Sequence, residues 1–125
     1  MMYPRGENIK NPSDPQVVAH VARVGAEAGA DVVKTVYTGS RESFREVVRK
    51  CPVPVVLAGG PKSDNELDVL KMAEDVIKAG AMGVTFGRNV FQHSNPTEIV
   101  RALHKVVIEG ETAEKALEAL KRGPR

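Results

Sequence analysis

A chain of 125 residues with 42% apolar and 27% charged residues and a net charge of +2 has the balance of one soluble globular domain. The small charge, with no basic stripe interleaved with aromatics, argues against nucleic acid as a partner. One cysteine, Cys51, excludes an internal disulfide, no apolar run nears the roughly 20 residues of a membrane span, and the start MMYPRGENIKNP lacks the apolar core of a signal peptide, so a soluble, cytoplasmic protein is expected.

The first residues, Met1 to Pro4, leave room only for the stub of a strand. Asp14 then Pro15 predicts an N-cap and first helical position, with Val17, Val21 and Val24 at helical spacing and Gly29 as the stop. DVVKTVY (31–37) reads as a strand rich in β-branched residues. Ser40 opens a second helix through Phe44, Val47 and Val48, ended by Pro52. VPVVLAGG (53–60) is a nearly continuous apolar run ending in glycines. Ser63 with Glu66 predicts a capping box for a third helix carrying Leu70, Ala73 and Ile77, stopped at Gly80.

GVTFG (83–87) is a third apolar run, and Arg88–Phe91 is short enough to be an extra helical turn. Asn95, Pro96 and Glu98 open the next helix, with Ile99, Leu103 and Val106 on one face and Gly110 at its end. A last amphipathic helix spans about Thr112 to Lys121, where Glu111–Lys115 and Glu118–Arg122 have the spacing of i,i+4 ion pairs. Strand runs without polar alternation predict burial on both faces, as in a parallel sheet.

The alternation predicts parallel strands joined by right-handed crossovers. Two α/β architectures fit: an open doubly wound sheet, or part of a (β/α)8 barrel. A full barrel needs about 250 residues, and this chain opens on a stub, so one partial barrel domain over residues 1–125 is expected. In a half barrel the inward faces of Val55, Leu57 and their neighbours would meet water.

Lys34 stands in an apolar strand between Val33 and Thr35, and a lysine there is costly unless paired or neutral. Burial favours the neutral amine, which is the form that attacks a carbonyl to make a Schiff base. The alternative is a strand-end lysine reaching solvent. Ala58-Gly59-Gly60-Pro61-Lys62 and Gly87-Arg88-Asn89 are glycine turns at the ends of consecutive strands. Glycine lets a backbone approach a phosphate, whose charge the free N–H groups of a helix start can bind. The alternative is two tight turns with no ligand. Tyr3, at the end of the stub, has a hydroxyl that could act as a general acid or could simply cap a core. Asp31 lies at the other end of its strand and reads as structural. His20, His93 and His104 lack metal-ligand spacing. Cys51 has no evident base, and no dinucleotide fingerprint follows a strand, so neither a metal nor a cofactor is expected.

Four blocks, M-M-Y-P-R-G (1–6), G-A-D-V-V-K-T-x-Y-T-G (29–39), C-P-V-P-V-V-x-A-G-G-P-K (51–62) and G-x-x-x-G-R-N-V-F-Q-H (83–93), resemble the DhnA-type aldolases over essentially the whole chain. That family includes archaeal class I fructose-bisphosphate aldolase, 2-amino-3,7-dideoxy-D-threo-hept-6-ulosonate synthase and, more distantly, a thiolase acting on phosphorylated autoinducer-2. The resemblance implies the C-terminal half of a (β/α)8 TIM barrel, from a strand 5 stub to strand 8. It implies that Lys34 is the Schiff-base lysine on strand 6 and Tyr3 the acid/base tyrosine on strand 5. It places Gly59, Gly60, Gly87 and Arg88 in a phosphate site after strands 7 and 8. The Tyr-Pro-Arg-Gly and Tyr-Thr-Gly blocks favour the aldolase and synthase over the thiolase, and Met1-Met2 with Phe91-Gln92-His93 favours the synthase.

The expected activity is a metal-independent, Schiff-base aldolase or transaldolase on a phosphorylated ketose, in a homo-oligomer. The family's first four strands, with an aspartate near strand 1 that assists proton transfer, have no counterpart here. The rival expectation is therefore a non-catalytic phosphate-binding or assembly half-barrel that retains the motifs.

Overall fold

Runs of valine and leucine form the sheet, and the glycines and capping residues between them set its turns. The structure, a computed structural model, describes residues 1–123. The elements are α1 (Pro15–Glu27), β1 (Val33–Thr35), α2 (Arg41–Lys50), β2 (Val55–Ala58), α3 (Glu66–Lys78), β3 (Gly83–Thr85), α4 (Arg88–Phe91), α5 (Pro96–Val107) and α6 (Ala113–Arg122). The strands are shorter than the apolar runs that contain them. None of the helices among the described residues is long and apolar enough to cross a membrane.

The sheet has the order β1-β2-β3 with both pairs parallel. Consecutive neighbours joined by right-handed crossovers carry all their helices on one face. Burial follows that rule. Val33, Thr35, Val55 and Leu57 are each at most 1% exposed and lie against Val18, Phe44, Val47 and Val76 of the helices. The alternate residues, Lys34 and Val56, sit opposite one another and are only half-buried. A doubly wound sheet would carry helices on both faces; one-sided cover is the arrangement of a barrel wall. It also corrects two expectations. The strands are not buried on both faces, and Val55 and Leu57 do not face the barrel interior, because the pleat turns them toward the helices.

Met2 donates its N–H to the Lys34 carbonyl at 2.8 Å, and the Thr35 hydroxyl donates to the Met2 carbonyl at 2.7 Å. These bonds hold the N-terminal stub along β1, although it makes no regular ladder. The Met2 side chain also fills the space a Cβ on Gly25 would need, 2.6 Å from Met2 Cγ. Gly25 thereby lets α1 receive the stub, and Tyr3 follows directly.

Three helix starts stand where the sequence placed them, with Asp14 capping α1, Ser40 α2 and Asn95 α5, while Thr112, expected as the first residue of the last helix, is its cap. The start of α3 differs. Asn65 caps α3, its Oδ1 accepting the Leu67 N–H at 3.0 Å, so the Ser63–Glu66 capping box is absent. The Ser63 hydroxyl instead accepts the Asn65 N–H at 3.2 Å, and the Ser63 N–H is drawn to Asn89 at 2.8 Å. On α1 the buried stripe is Val18, Ala19, Ala22 and Gly25, whereas Val24 is 42% exposed. Small side chains win that face because the helix lies close to the sheet and to the stub. Ile99, Leu103 and Val106 are buried as expected, with α3 and α6 supplying their neighbours.

Glu118 and Arg122 pair at 3.3 Å. Glu111 precedes the Thr112 cap, so it has no helical spacing to Lys115 and the expected pair does not form; Lys71 reaches Glu114 from α3 instead, at 3.5 Å.

Glu74 fastens α6 to α3. Its Oε2 accepts the Ala113 N–H at 2.8 Å, and its other oxygen binds Lys78. Burial pushes the carboxyl pKa up, but the Lys78 and Ala113 hydrogen bonds outweigh it and the net direction is down. A lowered folded pKa gives stability that is present above the unfolded value of 4.5 and lost as pH falls through the folded value. Glu74→Gln should therefore flatten the acid limb of the melting temperature against pH, while leaving the slope between pH 6 and 8 unchanged. An unaltered acid limb would remove Glu74 from the account.

Candidate active site

The C-terminal ends of the parallel strands are where a barrel places its chemistry, because the loops that follow them converge there. A cleft of about 570 Å3 opens at those ends. Lys34 lines it from β1, Gly59 and Gly60 from the turn after β2, and Gly87 and Arg88 from the turn after β3. Tyr3 lines it from the stub. The six candidate site residues, Tyr3, Lys34, Gly59, Gly60, Gly87 and Arg88, thus share one cavity. Val36, Ala58 and Thr85 form its apolar and hydroxyl-bearing floor.

Lys34 reaches the open face because its neighbours Val33 and Thr35 point into the helices. It is half-buried, between the two alternatives the sequence left open. The salt bridges of the described residues include none to Lys34, so no carboxylate ties up its amine. Tyr3 is one residue beyond Met2, whose N–H binds the Lys34 carbonyl, which sets the phenol beside the lysine's strand.

The first glycine turn owes its shape to two different requirements. A Cβ on Gly59 would lie 2.8 Å from Phe86 Cδ1 and 3.2 Å from Phe86 Cα, so even alanine would have to push backbone. Gly60 has φ of +67°, a left-handed conformation that side chains resist. Gly59→Ala is expected to cost about 1–3 kcal/mol of stability as an overpacked contact and to spread the cleft where it narrows between β2 and β3. Thermal unfolding alongside anion titration checks it; unchanged values for both would show that the close approach is unnecessary. In the second turn Gly87 is the N-cap of α4 without a side-chain hydrogen bond, and the first N–H groups of that helical turn have no partner within it.

Sequence reasoning passed over three features of the site. Asn89, quoted within the second turn, is 4% exposed and binds the first turn at three points. Its Oδ1 accepts the Ser63 N–H, and its Nδ2 donates to the Gly59 and Pro61 carbonyls at 3.1 and 3.3 Å. His93 Nε2 meets Glu66 Oε1 at 2.6 Å, fastening the end of α4 to the start of α3. Tyr37, at the cleft edge, donates its hydroxyl to Asp75 at 3.2 Å, and Arg41 holds the other Asp75 oxygen at 3.0 Å. Burial first, then the Asp75 charge and hydrogen bond, push the Tyr37 pKa up to about 12. This tyrosine stays protonated and committed to Asp75, which leaves Tyr3 as the cleft's available phenol. An asparagine beside a glycine turn was the one signal that could have revealed Asn89; the other partners are distant in sequence.

The family model of the DeoC/LacD family aldolases matches residues 1–93. The chain is 44% identical over 107 residues to a Streptomyces griseus 2-amino-4,5-dihydroxy-6-oxo-7-(phosphonooxy)heptanoate synthase, covering 86% of this chain and 39% of that protein. It is 43% identical over 109 residues to the class 1 fructose-bisphosphate aldolase of Thermoproteus tenax, covering 86% of this chain and 41% of that one. An archaeal fructose 1,6-bisphosphate aldolase structure superposes with a TM-score of 0.82 at 43% identity, over 85% of this chain and 42% of its own. Another archaeal aldolase, with its catalytic lysine covalently bound to the carbinolamine intermediate of the substrate, gives 0.82 at 41% identity over 85% and 43%. The chain therefore spans about two fifths of the length of the relatives it matches. With the parallel one-sided sheet, the shared cleft and a family match over residues 1–93, this chain belongs to the DeoC/LacD aldolase family.

Proposed function

We propose that this chain carries the Schiff-base half of a class I aldolase or transaldolase acting on a phosphorylated ketose. The observation that supports it most is the meeting of Lys34, Tyr3 and both glycine turns in one cleft at the strand ends. On this reading the stub and β1–β3 correspond to strands 5–8 of a (β/α)8 barrel. The relatives named as a fructose-bisphosphate aldolase and a phosphonooxyheptanoate synthase both handle phosphorylated compounds, as a phosphate site requires. The reading carries with it a cytoplasmic location and a homo-oligomeric assembly.

In the reaction, the Lys34 amine attacks the ketose carbonyl carbon and a proton passes from the nitrogen to the oxygen, giving a carbinolamine. Loss of that oxygen as water, protonated by Tyr3, leaves an iminium. The bond between the carbons α and β to that iminium then breaks, and its electron pair moves into the iminium to form an enamine. The departing fragment's hydroxyl loses its proton and becomes the aldehyde carbonyl. The enamine either takes a proton, or attacks a second carbonyl in the transaldolase case, and water releases the product from Lys34. Gly59, Gly60, Gly87 and Arg88 grip the phosphate and fix which carbonyl meets the lysine.

Borohydride reduction in the presence of a phosphorylated ketose tests the reading, because it converts the iminium to a stable amine. A mass increase equal to the reduced ketose adduct is the expected result. Binding of phosphate without an adduct would replace this reading with a non-catalytic, phosphate-binding half barrel.

A further inference from the structure

The two glycine turns come from different strands, and neither has local means to hold the other's position. Gly60 is in the left-handed region, Gly59 has no room for a side chain, and α4 is four residues long with no side-chain cap at its start. Between them sits Asn89, with every one of its amide functions used. Oδ1 accepts from Ser63 N–H at 2.8 Å, while Nδ2 donates to the carbonyls of Gly59 at 3.1 Å and Pro61 at 3.3 Å. The amide orientation is forced. Reversed, it would set Nδ2 against a donor and Oδ1 against two carbonyls.

We propose that Asn89 is the positioning residue of the anion site, a clamp that holds the turn after β2 at a fixed distance from the turn after β3. The inference rests on the reading of those turns as a phosphate site. Asn89 is 4% exposed and is not among the residues lining the cleft, so it acts from behind the turns; its Nδ2 engages the Gly59 and Pro61 carbonyls and keeps them from swinging toward an anion in the cleft. A carbonyl left free to swing toward a phosphate would repel it, so holding these two back is as necessary as presenting N–H groups. His93 and Glu66 fix the far end of α4 at 2.6 Å, leaving Asn89 to set the near end.

The chemistry separates this role from mere support of the fold. A clamp on the anion site should alter recognition of the phosphate and spare the reaction at the carbonyl. The probes are dihydroxyacetone phosphate and dihydroxyacetone, which share a carbonyl and differ in the phosphate. The Lys34 adduct is counted by mass spectrometry after borohydride reduction, across ketone concentrations, for the full chain and for Asn89→Ala. In the unaltered chain the phosphorylated ketone should half-saturate at a concentration at least tenfold below the unphosphorylated one. Asn89→Ala should raise the half-saturating concentration of the phosphorylated ketone at least tenfold and that of dihydroxyacetone less than twofold. Asn89→Ser, smaller but still polar, should give the same split, and circular dichroism shows whether each variant folds.

Inorganic phosphate, titrated by phosphorus NMR line broadening, reads the same clamp without using Lys34, so a chain that forms no adduct is decided by that measurement. Folded variants that keep the preference for phosphate would overturn the role of Asn89 and leave the phosphate site standing. An unaltered chain with neither a phosphate preference nor phosphate binding would overturn the phosphate site and the clamp together. If neither variant folds, Asn89 is a residue of the fold alone and the proposal is wrong.

Discussion

Replacing Lys34 by methionine is expected to abolish adduct formation entirely, with no residual modification after borohydride reduction. Methionine keeps the length of the apolar stem and the helix-side packing of Val33 and Thr35, so the fold should survive. What it removes is the one lysine that lines the cleft among the described residues. Lys62 follows the first glycine turn but is drawn toward Asp64 at 3.8 Å, and Lys50 ends α2 as an exposed residue. Peptide mapping should therefore place the whole adduct at Lys34. Tyr3→Phe is expected to leave the adduct possible but to slow its formation by about 10²–10⁴-fold, the usual contribution of a positioned acid or base. Adduct at Lys62 or Lys50 that persists in Lys34→Met would remove the Schiff-base reading.

The order of strands and helices was legible because it is written in local chemistry. Asp14, Ser40, Asn95 and Thr112 each cap the helix they introduce, and β-branched runs mark each strand. The candidate site residues, which line one cleft, were legible for a related reason. A lysine amid valines and two glycine turns after strands are costly locally, so their presence pointed to chemistry. What stayed hidden depends on contacts between distant segments. Nothing near Ser63 says that its N–H belongs to Asn89, 26 positions away, and that contact is what moves the α3 cap to Asn65. The face of α1 was misread for the same reason. The valine spacing was helical, but the sheet and Met2 demanded small residues, and Ala19, Ala22 and Gly25 meet them.

The Tyr37–Asp75–Arg41 group shows how such distant contacts serve the site. Tyr37 ends the segment that begins at Lys34, and Asp75 lies on α3. Their hydrogen bond, with Arg41 from α2 on the same carboxylate, joins three elements behind the lysine's strand. A folded pKa of about 12, above the ordinary 10.0, means that this contribution is complete below pH 10.0 and is lost as pH rises through about 12. The segment that follows Lys34 is thus tied to α2 and α3 at every pH below 10.0.

The isolated 125-residue chain is expected to self-associate, sedimenting as a dimer or larger. Its helix-covered face needs no partner, since Val55 and Leu57 are buried there. The need arises at the opposite face and at the two ends of the sheet. Met1 is 78% and Val32 46% exposed at the stub side, while Met82 is 64% and Phe91 66% exposed around β3. Burying such a side chain fully is worth about 1.5–3 kcal/mol, and the unpaired backbone of each edge adds a template for further strands. A closed barrel of this type takes eight strands. On the reading of the stub and β1–β3 as four of the eight strands, either the remainder of a longer barrel or a second copy would complete both edges; for the isolated chain the second copy is expected, with the stub of one chain beside β3 of the other. Met82→Glu places a charge in that seam and should shift the chain toward a monomer that binds a hydrophobic-surface dye, with the melting temperature becoming independent of protein concentration. A cooperative monomer of the unaltered chain, binding no such dye, would show instead that the exposed side chains at the two edges need no cover and that the wall is stable as a single layer.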